Sequence, residues 1–300
     1  MPVVVRPARA EELQRAQELV VRSINDLTER HGFGPMASIR PAAFQIFSLN
    51  DDSRGLWIAE NEGEIVGTAF SWVCGDLWFL AELFIAPGMQ GGGIGSELLR
   101  RTLQHAHQAA AKTKALITFT FNTVSQGLYV RHGMFPRLPV YMFNVAREKA
   151  ASQHREARME YRPLEGPSSD LSTLAAIDLS VLGLSREKHH RYLLGDSTMR
   201  GFLLYDANDC IGYTYVASTG HVGPLALRSR DHMERALRTS LSIAAEGPSD
   251  QISAFVPGSS EAALRVATEH RMRITFPLVL LSDREFGDWG RYLPRNAGFM

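Results

Sequence analysis

Gln90-Gly91-Gly92-Gly93-Ile94-Gly95 sits between a run that reads as a buried strand and a run that reads as a helix. The strand is Leu77 to Ile85 (Leu-Trp-Phe-Leu-Ala-Glu-Leu-Phe-Ile), apolar except for Glu82. Pro87 stops it, because proline cannot donate to a ladder. Ser96 to Ala106 then carries apolar residues at helical spacing. Glycine is needed where backbone must turn tightly or meet a ligand without a side chain between them. Bare N–H groups ahead of a helix, helped by its dipole, make a seat for a phosphate or pyrophosphate.

The chain also echoes itself. Val3-Val4-Val5-Arg6-Pro7 precedes an acidic helix start at Glu11-Glu12, and Met159-Glu160-Tyr161-Arg162-Pro163 precedes Asp170. Gly55 to Glu60, a polar turn at Asn61 to Glu64 and Ile65 to Phe70 read as a hairpin. Gly201 to Asp206, a turn at Ala207 to Asp209 and Ile211 to Tyr215 read as a second. Gly127-Leu128-Tyr129-Val130 is echoed by Ala263-Leu264-Arg265-Val266. Three echoes in the same order indicate two related domains, as does a length of 300 residues against about 150 per domain. The expected boundaries are 1–146 for the first domain, 147–158 for a charged linker and 159–300 for the second domain with its tail. Hairpins mixed with crossovers predict an α/β (α+β mixed-sheet) fold: in each copy a mostly antiparallel twisted sheet flanked by helices.

A Walker loop would need Lys-Ser/Thr after its last glycine, but Gly95 is followed by Ser96-Glu97. A dinucleotide fingerprint counted from Gly91 ends on Ser96 where glycine is required. Gln90, Gly93 and Gly95 do satisfy Gln/Arg-x-x-Gly-x-Gly. Asn122, Ser125, Leu128-Tyr129 and His132-Gly133-Met134-Phe135 follow the next strand, Ala115 to Phe121, in an Asn-x5-Leu-Tyr-x3-Gly-Phe pattern broken by Met134. In these motifs the chain resembles the GNAT superfamily of N-acetyltransferases. The resemblance covers residues 3–145 well and 159–282 weakly.

That resemblance implies two tandem GNAT-like domains and an acetyl-CoA-dependent N-acetyltransferase. It would move an acetyl group to a primary amine of a small molecule or peptide by direct transfer in a ternary complex. Gly91, Gly92, Gly93, Ile94, Gly95 and Ser96, with Gln90, would hold the pyrophosphate. The backbone of Leu83, Phe84 and Ile85 would bind the pantetheine and polarise the thioester carbonyl. Asn122 and Ser125 would touch the cofactor arm, or Asn122 and Ser125 would serve only as helix caps. Tyr129 is the candidate general acid: a phenol of pKa ~10 can hydrogen-bond or protonate a thiolate whose thiol lies near ~8.5. Glu82, alone in an apolar strand, is the candidate base or amine-binding group, since burial raises a carboxyl pKa. A non-catalytic acetyl-CoA sensor and a longer-chain acyltransferase are the alternatives.

The second copy lacks this equipment. With His221 to Leu227 laid over the central strand, Arg228 to Glu234 replaces the loop without a glycine, Pro224 replaces Glu82 and Arg265 replaces Tyr129. One donor per chain is therefore expected, held by the first domain alone. The aromatic tail Asp288 to Met300 is expected to dock, by packing on a domain or by reaching the acceptor pocket, and His189-His190 reads as solvated. His31-Gly32-Phe33-Gly34 falls where an acceptor pocket would be lined or is plain loop.

Lys+Arg and Asp+Glu are 32 each, which speaks against a nucleic-acid partner. No run reaches the ~18 apolar residues of a membrane span. Two distant cysteines, Cys74 and Cys210, form neither a disulfide framework nor a thiolate metal site. His105 and His107 lie about 200° apart on a helix and cannot share a metal. The expectation is a cytoplasmic monomer or homodimer with no metal.

Overall fold

A computed structural model describes residues 3–151 and 159–300. The part of the expected linker at 152–158 lies outside the described residues. The chain divides into two compact units: residues 1–135 with 281–284, and residues 136–280 with 285–300.

The first unit opens with β1 (Val4–Pro7), then α1 (Leu13–Arg30), α2 (Ala43–Asp51), β2 (Leu56–Asn61), β3 (Glu64–Cys74) and β4 (Leu77–Ile85). α3 (Ile94–Gln108), β5 (Thr113–Phe119) and α4 (Thr123–Arg131) follow. The strand order is β1-β2-β3-β4-β5, antiparallel except for the parallel β4–β5 pair. α1 is amphipathic: Leu13, Ala16, Leu19 and Val20 are buried at i, i+3 and i+4 spacing. In α3 the buried stripe is Ile94, Leu98, Leu99, Thr102 and Ala106.

Two irregularities shape the sheet. Opposite β3, Phe70 pairs with Glu82 and Ser71 with Leu80, so Ala81 is an extra residue in β4. Such a bulge bends its strand and increases its twist. The β4–β5 ladder ends at Leu80↔Leu116. Beyond it, Ala81 to Ile85 present to that side an edge with no partner in the β5 ladder.

The second unit contains β6 (Phe135–Ala146, from Pro136 onward), α5 (Arg147–Ala151), β7 (Glu160–Pro163), α6 (Pro167–Leu182) and α7 (Glu187–Gly195). β8 (Met199–Asp206), β9 (Asp209–Ala217), β10 (His221–Leu227), α8 (Met233–Ala245), β11 (Gln251–Pro257) and α9 (Glu261–Glu269) come next. β12 (Arg273–Ser282) and β13 (Tyr292–Leu293) end the chain. Its strands run β12-β6-β11-β10-β9-β8-β7, and β13 pairs with β10. β6 was expected in the first domain. Its ladder is with β11, from Val140↔Pro257 to Ala146↔Gln251, which puts it in the second unit. The last residues of β12 sit in the first unit, where Asp283 N–H donates to Lys114 O on β5 at 3.0 Å.

The repeated Arg-Pro motif has a physical cause. Arg6 on β1 donates to Glu12 ahead of α1 at 2.9 Å, and Arg162 on β7 donates to Asp170 in the first turn of α6 at 2.8 Å. Each pair fastens a helix start to the strand before it. The bulge is repeated too: Val222 faces Val216 and Leu225 faces Thr214, leaving one extra residue at Gly223-Pro224 in β10.

Candidate active site

The loop after β4 places its glycines as the sequence requires. Gly91 and Gly93 adopt φ of +87° and +84°, the left-handed region that costs a side-chain-bearing residue about 1–2 kcal/mol. Gly93 is the N-cap of α3, and its carbonyl accepts the Glu97 N–H at 3.1 Å. The N–H groups ahead of Glu97 have no carbonyl within the helix to bond. No atom lies within 4 Å of a Cβ built on Gly91, Gly92 or Gly93. The backbone there faces open space.

That space belongs to a cavity of about 360 Å³. Its walls bring together Leu83, Phe84 and Ile85 of β4, Gln90, Gly91, Gly93, Ile94, Gly95 and Ser96 of the loop and helix start, and Asn122 and Ser125 of α4. These residues come from three separate stretches of sequence. Gly92, Glu82 and Tyr129 do not line it. Asn122 stands on the wall, and its Oδ1 accepts the Ser125 N–H at 3.2 Å as the N-cap of α4.

Tyr129 is buried, one helical turn beyond Ser125, and its phenol hydrogen-bonds to the Ser125 side chain. Burial pushes its pKa well above that of a free phenol, although the Ser125 bond pulls the other way. The group therefore stays protonated. Its hydrogen-bond partner Ser125 stands on the cavity wall.

Glu82 lies off the cavity wall, next to the bulge in β4. Gln45 Nε2 of α2 donates to Glu82 Oε1 at 2.7 Å and to Gln17 Oε1 of α1 at 2.9 Å. Desolvation of the carboxyl raises its pKa to about 7, against a smaller lowering by Gln45.

The cavity has features not assigned to it from sequence. Arg131 at the end of α4 and Arg30 at the end of α1 stand on its wall, the latter paired to Asp26 at 2.8 Å. Ser23 donates to Ile85 O at 3.2 Å and lies on the same wall. His31, a candidate acceptor contact, lies there against Phe121 with ring centres 4.9 Å apart, and Phe33 stacks on Phe121 at 4.7 Å. A cation in the last turn of a helix is common, so Arg131 and Arg30 gave no sequence signal.

Elsewhere, Ser71 Oγ, His105 and Asp52 form a line, with contacts of 3.0 and 3.2 Å. Ser71 is 1% exposed, so a substrate has no access to it, and the line fastens β3 to α3. His189 and His190 correct the expectation of a solvated pair: each is 1% exposed in the second unit. His190 bonds Asp178 and Tyr215 at 3.0 Å each, partners that only the folded chain provides. Among the described residues no group of His, Cys, Asp and Glu could hold a metal ion, and no helix is long and apolar enough to cross a membrane.

Residues 20–134 match the model of the acetyltransferase (GNAT) family. The whole chain is similar in fold to a protein from Pyrococcus horikoshii provisionally described as an acetyltransferase. The TM-score is 0.78 at 14% identity, covering 99% of this chain and 96% of that one. A GCN5-related N-acetyltransferase from Sphaerobacter thermophilus gives 0.64 at 16% identity, covering 95% and 97%. A tandem GNAT protein from the clavulanic acid biosynthesis pathway gives 0.61 at 14% identity, covering 94% and 98%. These likenesses give the chain a tandem GNAT-like architecture of mixed α/β type.

Proposed function

We propose, from the match of residues 20–134 to the acetyltransferase (GNAT) family model, that the chain transfers an acetyl group from acetyl-CoA to a primary amine of a small molecule or peptide. Transfer is direct, with both substrates bound. The observation that carries this reading is the shared cavity: left-handed, open-faced Gly91 and Gly93 at the head of α3 lie on the same walls as the edge of β4 at Leu83 to Ile85. A pyrophosphate needs the first and an extended pantetheine amide needs the second.

The donor supplies an activated acyl group as its thioester. Gly91, Gly93, Ile94, Gly95 and Ser96 hold its phosphates by backbone N–H groups, and Gly92 keeps the loop free of side chains. Gln90 braces the loop, with its Nε2 3.4 Å from Ile85 O. Arg131 adds a positive charge to the wall, where a charge-assisted bond to phosphate is about twice as strong as a neutral one. The backbone of Leu83 to Ile85 orients the thioester and polarises its carbonyl.

Glu82 accepts the proton that the incoming ammonium must lose. A base near 7 is about half ionised at neutral pH. Deprotonating an alkylammonium of pKa ~10.4 with it is uphill by ~3 units, or ~4 kcal/mol, an affordable part of an enzymatic barrier. Tyr129, kept protonated by burial, stabilises the departing thiolate by a hydrogen bond relayed through the Ser125 hydroxyl, and the thiolate, whose thiol pKa lies near ~8.5, leaves without taking the proton of this weaker acid. Two cysteines far apart in sequence, Cys74 and Cys210, suit a reducing, cytoplasmic setting.

A second reading, an acetyl-CoA-binding module without turnover, draws support from the exclusion of Tyr129 from the wall. Release of free thiol from acetyl-CoA in the presence of a panel of primary amines separates the two. Amine-dependent thiol release supports transfer. Tight acetyl-CoA binding with no release from any amine supports the module.

A further inference from the structure

In the second unit, the place that the cavity occupies in the first is filled by protein. β10 and β11 pair in parallel only at His221↔Ser253 and Val222↔Ala254, much as β4 and β5 pair only through Leu80. Beyond that point β13 pairs antiparallel to β10, with Ala226↔Tyr292 and Leu225↔Leu293, and the Leu227 N–H donates to Arg291 O at 3.0 Å. Tyr292 and Leu293 are fully buried. We propose that residues 288–300 are a built-in ligand of the second unit, occupying a groove of acyl-CoA type from its phosphate end to its acyl end.

Four contacts follow the groove in order. At the head of α8, where a glycine loop would seat a pyrophosphate, the Asp288 carboxylate supplies the negative charge. Arg230 Nη2 lies 2.8 Å from Asp288 Oδ1, and the Gly290 N–H donates to the same oxygen at 3.0 Å. Ser260 is the N-cap of α9, as Asn122 is of α4, and its Oγ donates to Gly290 O at 3.3 Å. β13 then runs beside β10 as an extra strand. At the bulge, a Cβ on Gly223 would stand 2.7 Å from Pro294 O and 3.3 Å from Arg295 Cα, so the tail backbone touches β10 where only glycine allows it.

Past the bulge the tail covers a buried polar floor. Arg186 bonds Asp178 at 3.0 Å, stands 5.0 Å from the Tyr292 ring centre and donates to the Met300 main-chain oxygen at 3.1 Å. Phe299 lies against His189 with ring centres 4.6 Å apart. Arg186 would lose its Met300 partner and the cover of the Tyr292 ring if the tail left, and an uncovered buried charge is costly unless solvent or a ligand replaces them. The tail supplies what a bound molecule would supply, permanently and at high effective concentration. The second unit thus lacks the glycine loop because its occupant is a carboxylate held by an arginine rather than a pyrophosphate held by backbone.

The likeness to a donor groove rests on the function proposed above, but the filling of the groove by the tail does not. Hydrogen–deuterium exchange on the full chain tests both. In the wild type, amides at 291–293 and at 225–227 should be protected together. In Asp288→Ala both segments should exchange about tenfold faster, while 83–96 stays unchanged, because local opening is cooperative within a unit. Acetyl-CoA should slow exchange at 90–96 and leave 225–227 as it was. Three results would overturn the proposal: free exchange of 291–293 in the wild type, loosening of the tail in Asp288→Ala without any change at 225–227, or protection of 225–227 by acetyl-CoA. Should Asp288→Ala fail to fold, the wild-type pattern and the acetyl-CoA arm still decide. Absence of protection at 90–96 would count against the function alone.

Discussion

Gln45 Nε2 reaches Glu82 Oε1 at 2.7 Å, a bond between α2 and the bulged part of β4 that leaves the carboxyl otherwise desolvated. A carboxyl with a pKa of about 7 must be ionised to act as a base, so kcat/KM should rise with pH through about 7 and level off above it. Glu82→Gln should remove that rise and lower the plateau by about 10²-fold or more. A pH–rate profile of both proteins checks this.

The same group links pH to stability. Its folded pKa lies above the ordinary carboxyl value, so the folded state holds this proton more tightly than the unfolded chain does. The stabilisation is complete below the unfolded pKa of about 4.3 and is lost as pH rises through about 7. Glu82→Gln should therefore melt higher than wild type at pH 8, with the gap closing near pH 5. An unchanged gap across that range would mean that Glu82 is not desolvated.

Tyr129→Phe removes the phenol but keeps the ring. Turnover should fall about 10²-fold, with acetyl-CoA affinity within about twofold of wild type. Because the proposed path runs through the wall residue, Ser125→Ala should cost a similar factor, and the double variant little more than either single. Additive losses would separate the two residues.

Arg131→Ala should raise the KM for acetyl-CoA about tenfold, consistent with about 1.5 kcal/mol for one charge-assisted bond, and leave kcat nearly unchanged. The salt dependence of KM should flatten with it. An unaltered KM would remove Arg131 from the donor site.

The sequence carried the local parts of this site and not the non-local ones. Gly91 and Gly93 were legible because a left-handed turn at a helix head has a residue signature. Asn122 was legible because capping is local. Tyr129 has a residue type that suits an acid, but its separation from the wall by Ser125 depends on how α4 rolls against the sheet. The Glu82–Gln45–Gln17 chain joins positions 37 and 28 residues apart, and no local pattern ties them. β6 falls within the expected first domain, yet its partner β11 is set by pairing across more than a hundred residues. His189 and His190 looked solvated because they stand among charged residues in sequence. Their burial follows from Asp178, Tyr215 and Phe299, which lie on three other elements or segments.

Gln90 to Gly95 is proposed to seat the pyrophosphate of one acetyl-CoA per chain. Calorimetric titration of acetyl-CoA into wild type and Gly93→Glu tests it most directly, with circular dichroism confirming that the variant folds. Gly93 has open space around a built Cβ, so the new side chain would enter the phosphate seat with its negative charge. Wild type should bind one equivalent, and Gly93→Glu should bind at least about 10²-fold more weakly. No heat from wild type at several temperatures, or equal affinity in Gly93→Glu, would contradict it.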